Sequence, residues 1–219
     1  MLTLNKMAFD VLNTLRQGRS SNNDYLSIEQ IKFKLLGAIS ILLRQDFERN
    51  GKWPQSSEVN LGAVKLIEVS PTECGLPLKC NVLRTEKKIP SFVRFKEKEA
   101  YTFIGKPDRV TSISIISPLR VKWLLEDEQA PRVIMGMFIE NYLYILNTLS
   151  LECVNIRGIF EDARDAKDFI TEEGSCAYSD DEPYPVSQDL AARAIDFVLA
   201  TIIKFIPLKN DETADTIQN

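Results

Sequence analysis

SIEQIKFKLLGAISILLRQDFERN, residues 27–50, is the stretch around which the rest of the chain is organised. Ile28, Ile31, Leu35, Leu36, Ile39, Leu42, Leu43 and Phe47 recur at steps of three and four, the period of an α-helix. Ser27 with Gln30 three residues later fits a capping box, where two first-turn amides are satisfied reciprocally. Gly51 and Pro54 stand where such a helix stops. Phe33 and Ile41 widen the apolar surface beyond one face. A helix that is apolar over most of its girth needs neighbours on several sides. Part of this surface is core. Phe33, Ile41, Leu43 and Phe47 are the side chains expected to meet a second subunit.

Working outward, Thr3–Gln17 shows a second helical stripe in Leu4, Met7, Ala8, Val11, Leu12 and Leu15, with Thr3 as cap. The polar segment 19–25 between the two helices is a loop, short enough for an antiparallel pair. Beyond Asn50 the period changes. Strands are expected over 63–69, 79–84, 89–95, 100–104, 112–117, 120–124, 132–139, 142–146 and 153–160. Most are rich in Val, Ile, Phe or Tyr, with breaks roughly every ten residues, the pattern of an antiparallel sheet built by hairpins. Glu140-Asn141 falls where a tight hairpin turn belongs. From Glu161 the chain turns acidic, with a short helix ending near 173–174. Val186–Ile206 is a third long helix, capped by Ser187 and stopped by Pro207.

The resulting class is α+β: a helical bundle formed by the N- and C-terminal helices, with an inserted antiparallel β-rich domain. Residues 1–56 and 161–207 form the helical body, 57–160 the β-rich insertion and 208–219 a polar C-terminal tail.

The formal net charge is −4, unevenly placed. Residues 1–160 hold 22 basic and 17 acidic side chains, whereas 161–219 hold 5 and 14. An acidic end opposes general nucleic-acid binding through that part. No run approaches about 18 apolar residues, so no membrane span is expected, and the opening MLTLNKMAFD lacks the pattern of a secretory signal. Cys74, Cys80, Cys153 and Cys176 contain no CxxC spacing and read as reduced, buried thiols. There is no histidine, which removes Ser–His–Asp and Cys–His nucleophiles and imidazole zinc sites.

Other candidate chemistry gives way to plainer readings. Gly105-Lys106 lacks the rest of a phosphate loop and reads as a hairpin turn. Asp180, Asp181 and Glu182 lack the ligand spacing of a calcium loop and read as solvated. Glu126, Asp127 and Glu128 are neighbours in sequence, which is no argument for a facing acid–base pair. Lys87, Lys88, Arg94, Lys96 and Lys98 alternate with Phe92 and Phe95, yet Glu86, Glu97 and Glu99 dilute them into a mixed-charge sheet face. No catalytic, metal or cofactor-binding residue and no cofactor is expected.

Two stretches carry a family resemblance. LNKMAFDVLNTLRQGRSSNNDYLSIEQIKFKLL, residues 4–36, resembles the opening of structural proteins of crAss-like and related Bacteroidetes phages. VNIRGIFEDARDAKDF, residues 154–169, resembles a second hallmark, a strand running through Arg-Gly-Ile-Phe-Glu-Asp into a short acidic helix. The resemblance implies a non-enzymatic virion protein, made in the host cytoplasm: a ring or adaptor subunit at the head-to-tail junction of a short-tailed phage. It further implies a closed, twelve-fold homo-oligomer, partnership with portal and other connector or tail proteins, transient contact with passing DNA, and no membrane. The alternative left open by the residues is a nucleic-acid-binding or regulatory module using the two N-terminal helices. Its outer cations would be Lys32, Lys34 and Arg44. A carboxylate-based hydrolase is the third class.

Overall fold

The computed structural model describes residues 2–16, 26–70, 72, 82–96, 98–121, 133–169 and 179–204. Three α-helices form where the apolar period and the caps agree. In α1 (Leu4–Leu15), the Thr3 hydroxyl accepts from the Lys6 amide at 3.1 Å. In α2 (Ile28–Asn50), both halves of the capping box are present: Ser27 Oγ accepts from the Gln30 amide, and Gln30 Oε1 accepts from the Ser27 amide. Gly51 ends α2 at φ 66°, a left-handed conformation that costs glycine nothing. In α3 (Gln188–Ile203), Ser187 Oγ accepts from the Leu190 amide. Each helix touches the other two.

The strands are β1 (Val59–Val69), β2 (Val82–Thr85), β3 (Arg94–Phe95), β4 (Lys98–Glu99), β5 (Tyr101–Gly105), β6 (Ser114–Ile115), β7 (Met135–Ile139), β8 (Tyr142–Leu146) and β9 (Cys153–Gly158). Seven of them form one sheet in the order β5-β9-β1-β2-β8-β7-β6, and β3 and β4 make a separate hairpin. The sheet is antiparallel except for β6 with β7, which is parallel. Residues 112–115 serve both of its ends. Ser112 bridges Gly105, the Ile113 amide donates to Ile104 O at 2.8 Å, and the next two residues pair with β7. This run gives the edge strand β5 a partner, leaving less open backbone.

Several expectations are corrected in detail. β1 starts four residues before Ala63, because the register shifts between Asn60 and Ala63 and hides the alternation. There Gly62 adopts φ 71° and its amide donates to Asn60 Oδ1. Over 89–95 only Arg94–Phe95 is strand, with a single bridge from Phe92 to Phe160. Pro90 has no amide to give a ladder there. Residues 118–121 are helical rather than extended. Pro118 suits a first helical position, and Ser117 accepts the Arg120 amide on its hydroxyl. The acidic helix after β9 is a 3₁₀ helix, Ala163–Asp168. The expected strand residues 79–81, 122–124 and 132, the acidic trio 126–128, the helix end near 173–174, Cys74, Cys80, Cys176 and the tail 208–219 lie outside the described residues.

One apolar cluster runs from the helices into the sheet. It joins Leu4, Met7 and Val11 of α1, Ile31, Leu35 and Leu43 of α2 and Ala194 and Val198 of α3 to Val64, Leu83, Ile145 and Ile156 of the sheet. A smaller cluster lies around Val121, with Val69, Val82, Met137, Tyr144 and Leu146. On β8, Leu143 and Ile145 join the first cluster and Tyr144 and Leu146 the second, so both faces of that strand are covered.

The β7–β8 hairpin turns through Glu140 at φ 51° and Asn141 at φ 67°, the two left-handed central positions of a type I′ turn. Asparagine tolerates this conformation better than glutamate. Replacing Glu140 by Asn should raise stability by about 0.5–1 kcal/mol, read as a higher urea midpoint at unchanged slope.

Candidate subunit interface

The interface candidates sit on α2, whose setting depends on a buried cation. Lys32 is 5% exposed. Its ammonium donates to Asp180 at 2.6 Å and to Glu29 at 2.8 Å. Asp180 also accepts from Arg164 at 3.2 Å, and that guanidinium holds Asp162 through Nε and Nη2. The same short segment is pinned to α1: the Asn5 amide donates to Asp180 O, Asn5 Nδ2 donates to Asp181, and Thr3 bridges Pro183. Tyr184 completes the attachment, its hydroxyl accepting from the Ala163 amide at 3.3 Å. The first residue of the acidic trio is therefore a half-buried docking point between elements, while Asp181 and Glu182 are exposed, as expected of a solvated loop.

Burial by itself would lower the Lys32 pKa, but the hydrogen bonds to Asp180 and Glu29 outweigh it and hold the ammonium above its usual range. Burial likewise opposes ionisation of Asp180, yet the bonds from Lys32 and Arg164 depress its pKa. Asp46 is lowered mainly by its bonds from Arg193, which reach both carboxylate oxygens at 3.0 and 2.6 Å and tie α3 to α2.

On the outward side of α2, Phe33, Gly37 and Ile41 follow at four-residue steps, which places them in line along the helix. Phe33 is 78% exposed and Ile41 40%. They open onto a groove of about 510 Å³ whose far wall is Ser91 and the turn of Glu161, Asp162, Arg164 and Asp165. A Cβ on Gly37 would meet nothing within 4 Å, so the groove floor is empty there. Both cations of the groove are engaged, Arg44 with Glu161 at 3.3 Å and Arg164 as above. Burial, reinforced by Asp162, raises the Asp165 pKa, and its carboxylate makes no hydrogen bond among the described residues.

The four residues expected to form an interface are separated by the structure. Phe33 and Ile41 share the groove. Leu43 is 2% exposed and belongs to the subunit core, which corrects its place on an outer face. Helical spacing alone cannot tell it from its neighbours, because α1, α3 and the sheet all pack around α2. Phe47 is half-buried, stacked on Trp53 at 4.3 Å between ring centres and tilted against Phe95 at 5.3 Å. The wall 161–165 was missed by sequence reasoning. Its acidity was visible, but its position opposite α2 was not. The cations invoked for nucleic-acid binding by α2 are also redistributed: Lys32 points inward and Arg44 is paired, leaving Lys34 as the exposed member.

Gly105-Lys106 opens a closed turn, as expected, with the Lys106 amide donating to Thr111 O. In the basic segment, Arg94 pairs with Glu99 across the hairpin and Lys87 donates to Asp168 O, a mixed-charge arrangement. Among the described residues no helix is long and apolar enough to cross a membrane. No cluster of three His, Cys, Asp or Glu among them is placed to hold a metal.

Residues 6–219 match the family described as phage tail ring protein 2. The chain belongs to that family. Ring protein 2 of Bacteroides phage crAss001 is 26% identical over 206 residues, covering 90% of this chain and 89% of the relative. The phage resemblance read from residues 4–36 and 154–169 is thereby shown for the family as a whole. For this phage tail ring protein 2 member, the structure adds which parts of α2 are exposed and which are core.

Two outcomes test this placement. Leu43→Ala should cost about 2–5 kcal/mol in urea unfolding, as for a buried leucine, while Ile41→Ala should cost under about 1 kcal/mol. Asp180→Asn leaves the Lys32 ammonium with only the exposed Glu29 as counter-charge and should cost about 2–3 kcal/mol, whereas Lys32→Met should cost about 1 or less, since Asp180 keeps Arg164. The depressed Asp180 and Asp46 stabilise the fold fully above the unfolded carboxylate range near ~3.9, and lose that contribution as pH falls through their folded values. The raised Lys32 contributes fully below ~10.4 and loses it as pH rises further. Urea midpoints should therefore fall at both extremes, and Asp180→Asn should flatten the acid limb.

Proposed function

We propose that this protein is a non-enzymatic structural subunit of a phage virion that closes into a ring at the junction of portal and tail. The carrying observation is the family match across nearly the whole chain, joined to a helix groove that leaves Phe33 open to solvent. A single subunit gains nothing by exposing a phenylalanine over an apolar groove, whereas a neighbouring copy buries both. Each subunit of a closed ring must present two different surfaces that fit one another.

In this reading the ring is twelve-fold, and it stacks with the portal and other connector or tail proteins. DNA passes through it with transient contact, and the acidic C-terminal portion keeps that contact weak. The protein resides in the virion at the head-to-tail junction. The helices supply the ring body and the β-rich segment decorates it.

Negative-stain imaging and mass photometry of the purified protein, with and without portal, test the reading. A discrete high-order ring should appear. Phe33→Lys combined with Ile41→Lys should leave a folded monomer with a near-native urea midpoint. A wild-type protein that stays monomeric and ignores portal would defeat the assignment.

A further inference from the structure

Among the described residues the three most exposed large apolar side chains are Val110, Leu119 and Phe33. Phe33 belongs to the groove on α2. Val110 stands beside Arg109, which is already engaged within the subunit. Leu119, 81% exposed, stands beside Arg120, whose exposed side chain makes no hydrogen bond or ion pair among the described residues. The surface at Leu119 thus joins an apolar side chain to an available cation.

That surface is ordered before any partner arrives. Ser117 O accepts from the amides of Arg120 and Val121 at 3.0 and 3.2 Å, and Ser117 Oγ accepts from the Arg120 amide at 3.4 Å. Val121, 1% exposed, anchors the turn in one cluster with Met137 of β7 and Tyr144 and Leu146 of β8. While Val121 is held inside, Pro118, Leu119 and Arg120 are all exposed. A pre-ordered projection loses little freedom on docking.

The groove on α2 offers the complement. Phe33 and Ile41 border it, and a Cβ on Gly37 would meet nothing within 4 Å. Its wall carries Asp165, whose carboxylate has no ion pair among the described residues. The two features also lie on different sides of the subunit. On β8, Tyr144 and Leu146 join the cluster of Val121, whereas Leu143 and Ile145 join the cluster that holds the helices. The turn and α2 therefore cover opposite faces of that strand. A projection and a matching groove on different faces make a head-to-tail contact, the kind that closes rings.

We infer that the Leu119–Arg120 turn of one copy seats in the Phe33–Ile41 groove of the next. Leu119 packs over Gly37 between the two apolar side chains, and Arg120 pairs with Asp165. This contact rests on the ring reading and names the two surfaces that would build the ring.

The test uses the full-length protein and mass photometry at low salt. Arg120→Glu and Asp165→Lys should each raise the concentration needed for assembly about tenfold, the effect of a like-charge clash in an interface. The double charge swap should restore it. Gly37→Leu should fill the groove and block assembly, with a melting temperature no lower than the wild type's, because leucine favours a helix over glycine and its Cβ meets open space. If wild-type rings form and all of these variants assemble like the wild type, or the swap fails to recover assembly, the pairing is overturned while the ring reading stands. If the wild type remains monomeric at every concentration, both fall together.

Discussion

A lysine ammonium taken almost wholly out of water must be paired, and here that requirement holds three helices in one arrangement. Lys32 faces inward on α2 and meets Asp180, a residue 148 positions away. Asp180 can reach it because its own segment is bound to α1 through Asn5 and to the 3₁₀ turn through Arg164. The start of α3 follows that segment directly. One buried charge thus fixes the relative placement of α1, α2, the 3₁₀ helix after β9 and the N-terminus of α3. Burying the pair gives modest net stability, but burying the ammonium away from Asp180 is costly, so alternative packings of these elements are penalised. Farther along α2, the two-oxygen grip of Arg193 on Asp46 does the same for α3.

With α2 held this way, the division of its surface follows. Its inner faces complete one apolar cluster with α1, α3 and the inner face of the sheet. Among the described residues nothing covers the remaining strip, since the 161–165 wall approaches without closing over Phe33 and Ile41. The exposed strip is a consequence of the same contacts that make the fold. The chain belongs to the phage tail ring protein 2 family, and in the proposed ring this strip would be buried against a neighbouring subunit.

Much of the local structure was legible in particular residues. Thr3, Ser27 with Gln30, Ser187 and Gly51 act as caps or stops, because capping depends on a side chain and amides a few positions away. Tyr142–Leu146 and the Glu140-Asn141 turn are local for the same reason. The misread elements are those where a neighbour overrides the local pattern. The bulge at Gly62 disguised the start of β1, and Ser117-Pro118 began a helical turn inside a Val-bearing run. The parallel pairing of β6 with β7 has no local signature. The candidate site was half legible: Phe33 and Ile41 stood out as apolar residues in excess, while Leu43 could not be told from them before its neighbours were in place.

The amino-acid sequence by itself determined the α+β class, the long capped helix, the absence of histidine chemistry and the phage family. Each of these depends on residue type and spacing along the chain. Tertiary structure decided which side of α2 is buried, that Lys32 points inward, and that an acidic turn lies opposite Phe33. It also placed the Leu119–Arg120 turn on the face of β8 turned away from the helices. These are relations between residues tens to more than a hundred positions apart. No local period encodes them; they arise when buried charges and apolar faces from distant segments must be satisfied at once.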